Sequence, residues 1–342
     1  MIRMSTVEGK SWSPAETEVL VRSMMRAPSV HNTQPWLLEV EPDELRVRER
    51  AEPALPHHDP HGRDRAASCG AAVANLELAV RTLGRGSEIE FLPDAREPDV
   101  VARIAVGAEA APTHEELRRY GAIARRASHR APFEGVAVPA PVVHKLVDAG
   151  GAPGVEARPV RPGQEVTVVA RLLHFAAERF QSDRGYQREL SLWTIRDERV
   201  HRHGVGLPAG QAPAGSVPWA GLVRRATEVP ETAELERRLA GETLLVFVTA
   251  DDGRLDHVRA GYALERAWLA AVDLGLAAAV LTQPLHLEPV RSALCEDLGL
   301  TGFPQALLRI GYAAEADPPS PRRAEQEVLR GGPDTPVRPS ER

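Results

Sequence analysis

Two short stretches hold side chains whose types and spacing suit ligand chemistry. The first is "APSVHNTQPW", Ala27 to Trp36. Its Ser29, Asn32 and Gln34 offer hydroxyl and amide groups that both donate and accept, while Pro28 and Pro35 restrict the backbone. Such a segment could read the polar edge of a ring, or close on itself as an Asx-turn and capped loop. The second is "RRASHRAPF", residues 125–133. Here Arg126, Ser128 and Arg130 alternate after a helical run. Two guanidinium forks and a hydroxyl suit a phosphate monoester. The same pattern suits a solvated basic helix end, where arginine complements the C-terminal dipole.

A third cluster, "HHDPHGRD", brings His57, His58, Asp59, His61 and Asp64 close together, and "HRH" adds His201 and His203. These types bind zinc, but their spacing matches no standard zinc site. The expectation is a polar loop entering a helix, with no metal.

Composition narrows the function classes. The net charge is −6, which argues against a general nucleic-acid binder because that needs a basic field. Lysine occurs only at Lys10 and Lys145, so the arginine bias is global and no single arginine is informative by type. The two cysteines, Cys69 and Cys295, lie far apart. That fits a reducing compartment and buried, inert thiols rather than a disulfide framework. No apolar run reaches membrane-spanning length, and "MIRMSTVEGKSW" has neither an apolar signal core nor a cleavage site. The expectation is a cytoplasmic protein with no membrane or nucleic-acid partner.

The elements that must position these residues follow from pattern. "SPAETEVLVRSMMRA" reads as a helix capped by Ser13, with Pro14 at its first position and Glu16 three residues after the cap. "WLLEVEPDELRVRER" reads as strand, turn and strand. A small-residue helix is expected from about Ala66 to Leu83, closed by Gly84. "SEIEFLP" and "VVARIAVG" read as strands. In the second part, "THEELRRYGAIARRAS", "QEVTVVARLLHFAAERFQ", "YQRELSLWTIRDER" and "GYALERAWLAAVDLG" read as helices. "TLLVFVTAD" and "QALLRIGYA" read as strands. An internal repeat places residues 70–84 over 261–275: the terminal glycines coincide, as do Ala72 with Ala263 and Leu78 with Leu269. Matching small residues would let two such helices approach closely.

Taken together, these segments resemble the flavin-dependent nitroreductase superfamily. "APSVHNTQPW" is similar to its "APSxxNxQPW" loop, "RRASHRAPF" to its phosphate segment, and "LERAWLAAVDLGLAAAVL" to its central helix and following strand. "LLRIGYAAEADPPSPRRAEQEV" is similar to its C-terminal ending. The order is unusual, because each half carries what the other lacks. The chain thus resembles the Acg-type subfamily.

That resemblance implies an α+β nitroreductase-like fold of two related halves, each with an antiparallel sheet and a central helix, fused as a pseudo-dimer. The first half is expected at 1–110, and the second at 111–325 with a lid insertion at about 186–225. A flexible tail is expected at 326–342. The resemblance also implies FMN. Its phosphate would lie on Arg126, Ser128 and Arg130, with Arg323 as a further ligand and Arg322 as the adjacent alternative. Pro28, Ser29, Val30 and Asn32 would contact the cofactor, with Gln34 fixing the loop, and Thr282 and Gln283 would lie near flavin N5. The implied activity is NAD(P)H-dependent reduction of nitroaromatics or quinones, with no side chain acting as a general base. The alternative is a non-enzymatic FMN store with its lid closed over the flavin. A complete internal site favours a monomer.

Overall fold

The computed structural model describes residues 11–52, 54–195, 207–208, 223–317 and 319–330. The chain begins with α1 (Pro14–Met25), started by a capping box: Ser13 Oγ accepts from Glu16 N–H, and the Glu16 carboxylate accepts from Ser13 N–H at 2.7 Å. A tight turn joins β1 (Trp36–Val40) to β2 (Glu44–Glu49), and α2 (Arg63–Thr82), β3 (Arg85–Phe91) and β4 (Val100–Glu109) complete the first half. Next come α3 (His114–Ile123), α4 (Ala140–Ala149) and β5 (Val155–Pro159). Then follow α5 (Gln164–Ser182), α6 (Arg184–Leu192), β6 (Thr194–Ile195), β7 (Leu207–Pro208) and α7 (Thr232–Leu239). The chain continues through β8 (Thr243–Thr249), α8 (Arg254–Asp273), β9 (Ala277–Leu281), α9 (Glu288–Leu298), β10 (Phe303–Gly311) and β11 (Leu329–Arg330).

The two sheets share one topology. The first holds β1-β2-β4-β3 and the second β5-β8-β10-β9, antiparallel among these strands, with β11 added to the β1 edge of the first in parallel. In chain order, each sheet is first, second, fourth, third strand. The halves differ in what joins their first two strands: a turn at residues 41–43 in the first, and residues 160–242 in the second. That insertion lays α5 and α7, beside α9 from the β9–β10 connection, on the face of the second sheet opposite α8. Leu245 and Phe247 face α8 while Leu244, Val246 and Val248 face the insertion, so β8 is unbroken in its apolar run because both faces are buried.

The repeat is also visible in the central helices. Helices α2 and α8 are both 20 residues long. Both end at a left-handed glycine, Gly84 at φ +80° and Gly275 at φ +79°, where a side chain would be strained. They cross in backbone contact. A Cβ on Gly70 would lie 1.9 Å from the Val258 carbonyl oxygen, and one on Gly261 1.9 Å from the Ala67 carbonyl oxygen. Each glycine meets the residue three before its counterpart. Such reciprocity is what a two-fold axis imposes on a self-complementary contact.

Several boundaries differ from the sequence expectation. Helix α2 starts a turn earlier, after left-handed Gly62. Helix α3 ends at Ile123 rather than running through Ser128. The segment after it is extended, with Ser128 bridging Ala278 in parallel and His129 N–H donating to Ala278 O at 2.9 Å. Arg126 to Arg130 are therefore not a solvated helix end. The tail cannot begin at residue 326: Val328 is fully buried, and β11 pairs in parallel with β1. Cys69 is buried and its thiol is pushed well up by burial, whereas Cys295 is only partly buried. Much of the expected lid, including His201, His203 and residues 209–222, lies outside the described residues, as do residues 331–342.

Candidate functional site

A cleft of about 1180 Å³, its open mouth included, runs along the α2–α8 crossing. Its floor is Asp64, Ala67, Ser68 and Ala71 of α2 and Leu264 of α8, and β9 forms one side. It gathers residues distant in sequence: Pro28, Ser29, Val30 and Asn32; Arg126, Ser128 and Arg130; Thr282 and Gln283; and Arg322. Of the residues expected at the cofactor, Gln34 and Arg323 do not line it, and of the 57–64 cluster only His58 and Asp64 do.

The loop wall is held in a strained conformation. His31, Asn32 and Gln34 all have positive φ, at 47°, 54° and 50°, which residues with a Cβ adopt only when surroundings impose it. Those surroundings are identifiable. Ser68 Oγ accepts from Val30 N–H at 3.1 Å, and Ser29 Oγ accepts from Gln34 N–H at 3.0 Å. Buried Gln34 donates to Asn32 O at 3.3 Å and accepts from Arg323 N–H at 3.0 Å. Asn32 donates to Pro321 O at 3.0 Å. Gln34 thus fastens the loop to the tail. The Arg323 side chain turns from the cleft toward Thr33 O and Glu327, and Arg322 faces the cleft instead.

One end of the cleft carries buried positive charge. Arg126 donates to Arg26 O at 2.6 Å, and Arg322 donates to the same carbonyl at 3.1 Å and to Asn32 Oδ1 at 3.2 Å. The Arg126 guanidinium also lies over the Trp268 ring, 4.7 Å from its centroid, a favourable cation–π placement. The facing acid is Glu265, fully buried, 3.3 Å from Arg126 Nε but out of hydrogen-bond alignment. Burial outweighs the attraction of Arg126 and Arg322 and pushes the Glu265 carboxyl up to about 8. Burial, reinforced by Arg126 and Arg26, pulls Arg322 down to about 9. Among the described residues no aligned hydrogen bond joins Glu265 to Arg126, and the Nε atoms of Arg126 and Arg322 make none. Buried cations of this kind are costly unless an anion joins them. The donor set suits a phosphate monoester.

The other end is lined with histidine. Asp64 Oδ2 lies 3.1 Å from His58 Nε2, 3.1 Å from His286 Nε2 and 2.6 Å from Thr282 Oγ1, which donates to it. Burial would raise Asp64, but His286 and His58 hold it well below the carboxylate range. His31 packs edge-on against His58 with centroids 4.4 Å apart, and burial keeps it well below the usual imidazole value. The insertion reaches this end: the Glu189 carboxylate on α6 accepts from His57 and His58 N–H at 2.9 and 2.7 Å, and Gln283 donates to the Tyr186 hydroxyl.

Sequence reasoning missed Arg26, Glu265 and His286. Arg26 acts through its carbonyl, which carries no sequence signal. Glu265 stands inside an apolar helix pattern and was a legible anomaly. His286 lies far from His58 in the chain.

A model of the nitroreductase family matches residues 123–312. The Mycobacterium tuberculosis protein Rv3131, provisionally named as an NAD(P)H nitroreductase, is 31% identical over 92% of this chain and 91% of its own length. The Mycobacterium tuberculosis protein acg, with the same provisional name, is 28% identical over 90% of this chain and 93% of its own. A solved Bacteroides fragilis nitroreductase with bound FMN aligns at a TM-score of 0.39 and 16% identity, over 64% of this chain and 98% of that one.

Proposed function

The chain belongs to the nitroreductase family, and on that premise we propose that it binds a single FMN in the cleft and acts as an NAD(P)H-dependent flavin oxidoreductase. The observation that carries this reading is the convergence of Arg126 and Arg322, from distant parts of the chain, on the Arg26 carbonyl beside the 28–32 loop. FMN, when bound, supplies hydride acceptance and donation at its N5. The chain's own residues do the rest. Arg126, Ser128, Arg130 and Arg322 hold the phosphate. Pro28, Ser29, Val30 and Asn32 form the wall beside the cofactor, fastened by Gln34, and Thr282 and Gln283 lie at the far end. No side chain is required to remove a proton from the flavin.

The fused arrangement explains a single site. The loop between α1 and β1 has its counterpart between α4 and β5, where residues 150–154 are too few to form a second wall. Complementarity between halves is internal, so a monomer suffices. The electron acceptors in keeping with the family are nitroaromatics and quinones.

Anaerobic visible spectra of the purified, FMN-loaded chain test the reading. Bleaching of the flavin band on addition of NADPH or NADH is the expected result. A band that persists with either donor would favour flavin storage instead, a reading supported by the packing of α6 against His57, His58 and Gln283.

A further inference from the structure

We propose that His58, Asp64 and His286 form a binding site for a divalent transition-metal ion, with open coordination positions facing the cleft. The ligand set does not rest on the reading of the cleft as a flavin site. Its ligands come from three places: the loop before α2, the first turn of α2, and the short turn before α9. Nothing in their sequence spacing betrays the set, because His286 reaches it only through the packing of one half on the other.

The geometry argues for a ligand set rather than an ordinary polar network. His58 Nε2 and His286 Nε2 lie at the same 3.1 Å from one oxygen, Asp64 Oδ2. All three donor atoms fall within 4.8 Å of one another. Ligands at about 2.0–2.2 Å from a common ion stand roughly 3–3.5 Å apart, so the nitrogen–oxygen spacings already match and the two imidazole nitrogens need approach by no more than about 1.3–1.8 Å. The ordinary alternative crowds one oxygen. Asp64 Oδ2 takes Thr282 Oγ1, His58 Nε2 and His286 Nε2, the last at 3.1 Å but out of hydrogen-bond alignment, with the His286 side chain only 9% exposed.

The supporting contacts are those a metal site uses. Thr282 Oγ1 donates to Asp64 Oδ2 at 2.6 Å, fixing the carboxylate, and outer hydrogen bonds of this kind orient ligands. Glu189 holds the backbone at His57 and His58 and so places the His58 ring. Two imidazoles and one carboxylate suit zinc, iron(II), cobalt(II) or nickel(II) rather than calcium or magnesium. His58 and Asp64 line the cleft, so the remaining coordination positions point into it, toward water or a small oxygen ligand.

The test is Co²⁺ titration of the full-length, chelator-treated chain, followed by visible d–d absorption and then by displacement with Zn²⁺. It is run on both flavin-free and flavin-loaded protein. The expected result is one equivalent of Co²⁺ per chain in the flavin-free protein. His58→Gln and His286→Gln should each weaken binding by at least the roughly 10–100-fold that loss of an outer partner costs. Asp64→Asn keeps the side-chain volume and should weaken it likewise, which covers a histidine variant that fails to fold. His144→Ala, on an exposed position of α4, should bind as the parent does. No stoichiometric uptake by the parent would overturn the proposal. So would uptake unchanged in folded His286→Gln and Asp64→Asn variants.

Discussion

Replacing Gly70 with alanine drives a methyl group into the backbone of α8. The new Cβ would sit 1.9 Å from Val258 O, against about 3.3 Å for a close carbon–oxygen contact. A carbonyl cannot rotate away as a side chain can, so the helices must part by more than about 1 Å. Overpacking of this kind costs about 3 kcal/mol or more at a backbone contact. The better helix propensity of alanine returns only about 0.5–1 kcal/mol. Gly70→Ala should therefore lose at least about 2 kcal/mol, and Gly261→Ala the same, because Ala67 O meets it identically. The two sites also couple. Once the helices have parted for one methyl, the second costs less, so the double variant should be about 1–2 kcal/mol more stable than the sum of single losses implies. Urea denaturation followed by fluorescence of buried Trp36 and Trp268 reads all three. Gly121→Ala is the control, since a Cβ there meets nothing within 4 Å. If Gly70→Ala were no less stable than Gly121→Ala, the helices would not be in backbone contact. Strict additivity would contradict the reciprocal crossing.

Glu265 makes the flavin-free chain pH-sensitive. Its native pKa is raised from 4.5 to about 8, so the folded state keeps a proton that the unfolded state releases. The associated stability is fully present below pH 4.5 and falls as pH rises toward 8, by up to about 5 kcal/mol. Denaturation of the parent and Glu265→Gln across that range should show their difference changing with pH in favour of the variant, and a flat difference would mean an ionised Glu265 paired with Arg126. At Gln34, substitution by alanine leaves the Arg323 N–H without its acceptor. The cost should be about 1–3 kcal/mol, together with weaker FMN binding as Arg322 loses its anchor. FMN titration checks this, and unchanged affinity would disconnect Gln34 from the anion end.

Much of this was legible because local chemistry dictated it. The Ser13–Glu16 capping box, the Gly84 and Gly275 stops and the apolar run of β8 each record a single local constraint. The repeat was legible because the close helix crossing tolerates only small residues at Gly70 and Gly261. What stayed hidden depends on partners far along the chain. Leu329 reads as tail until β1 is there to pair with it. Arg322 and Arg323 are indistinguishable by type, and their division of labour is decided by Gln34, whose side chain takes the Arg323 backbone. Ser128 looked helical, yet it lies extended beside β9, an environment built by the other half. The histidine run "HHDPHGRD" matches no standard metal spacing, and the residue that joins it at Asp64, His286, lies beyond α8.

The central claim is that the arginine end of the cleft holds the phosphate of a flavin. Equilibrium titration of flavin-free protein with FMN and with riboflavin, which lacks that phosphate, tests it most directly. Each charge-assisted contact is worth about 1.5–3 kcal/mol, so two arginines alone should favour FMN by roughly a hundredfold or more. That preference should collapse when Arg126 and Arg130 are both changed to alanine, while riboflavin binding changes little. Equal affinity for the two flavins in the parent protein, or a preference unchanged in the double variant, would contradict the account.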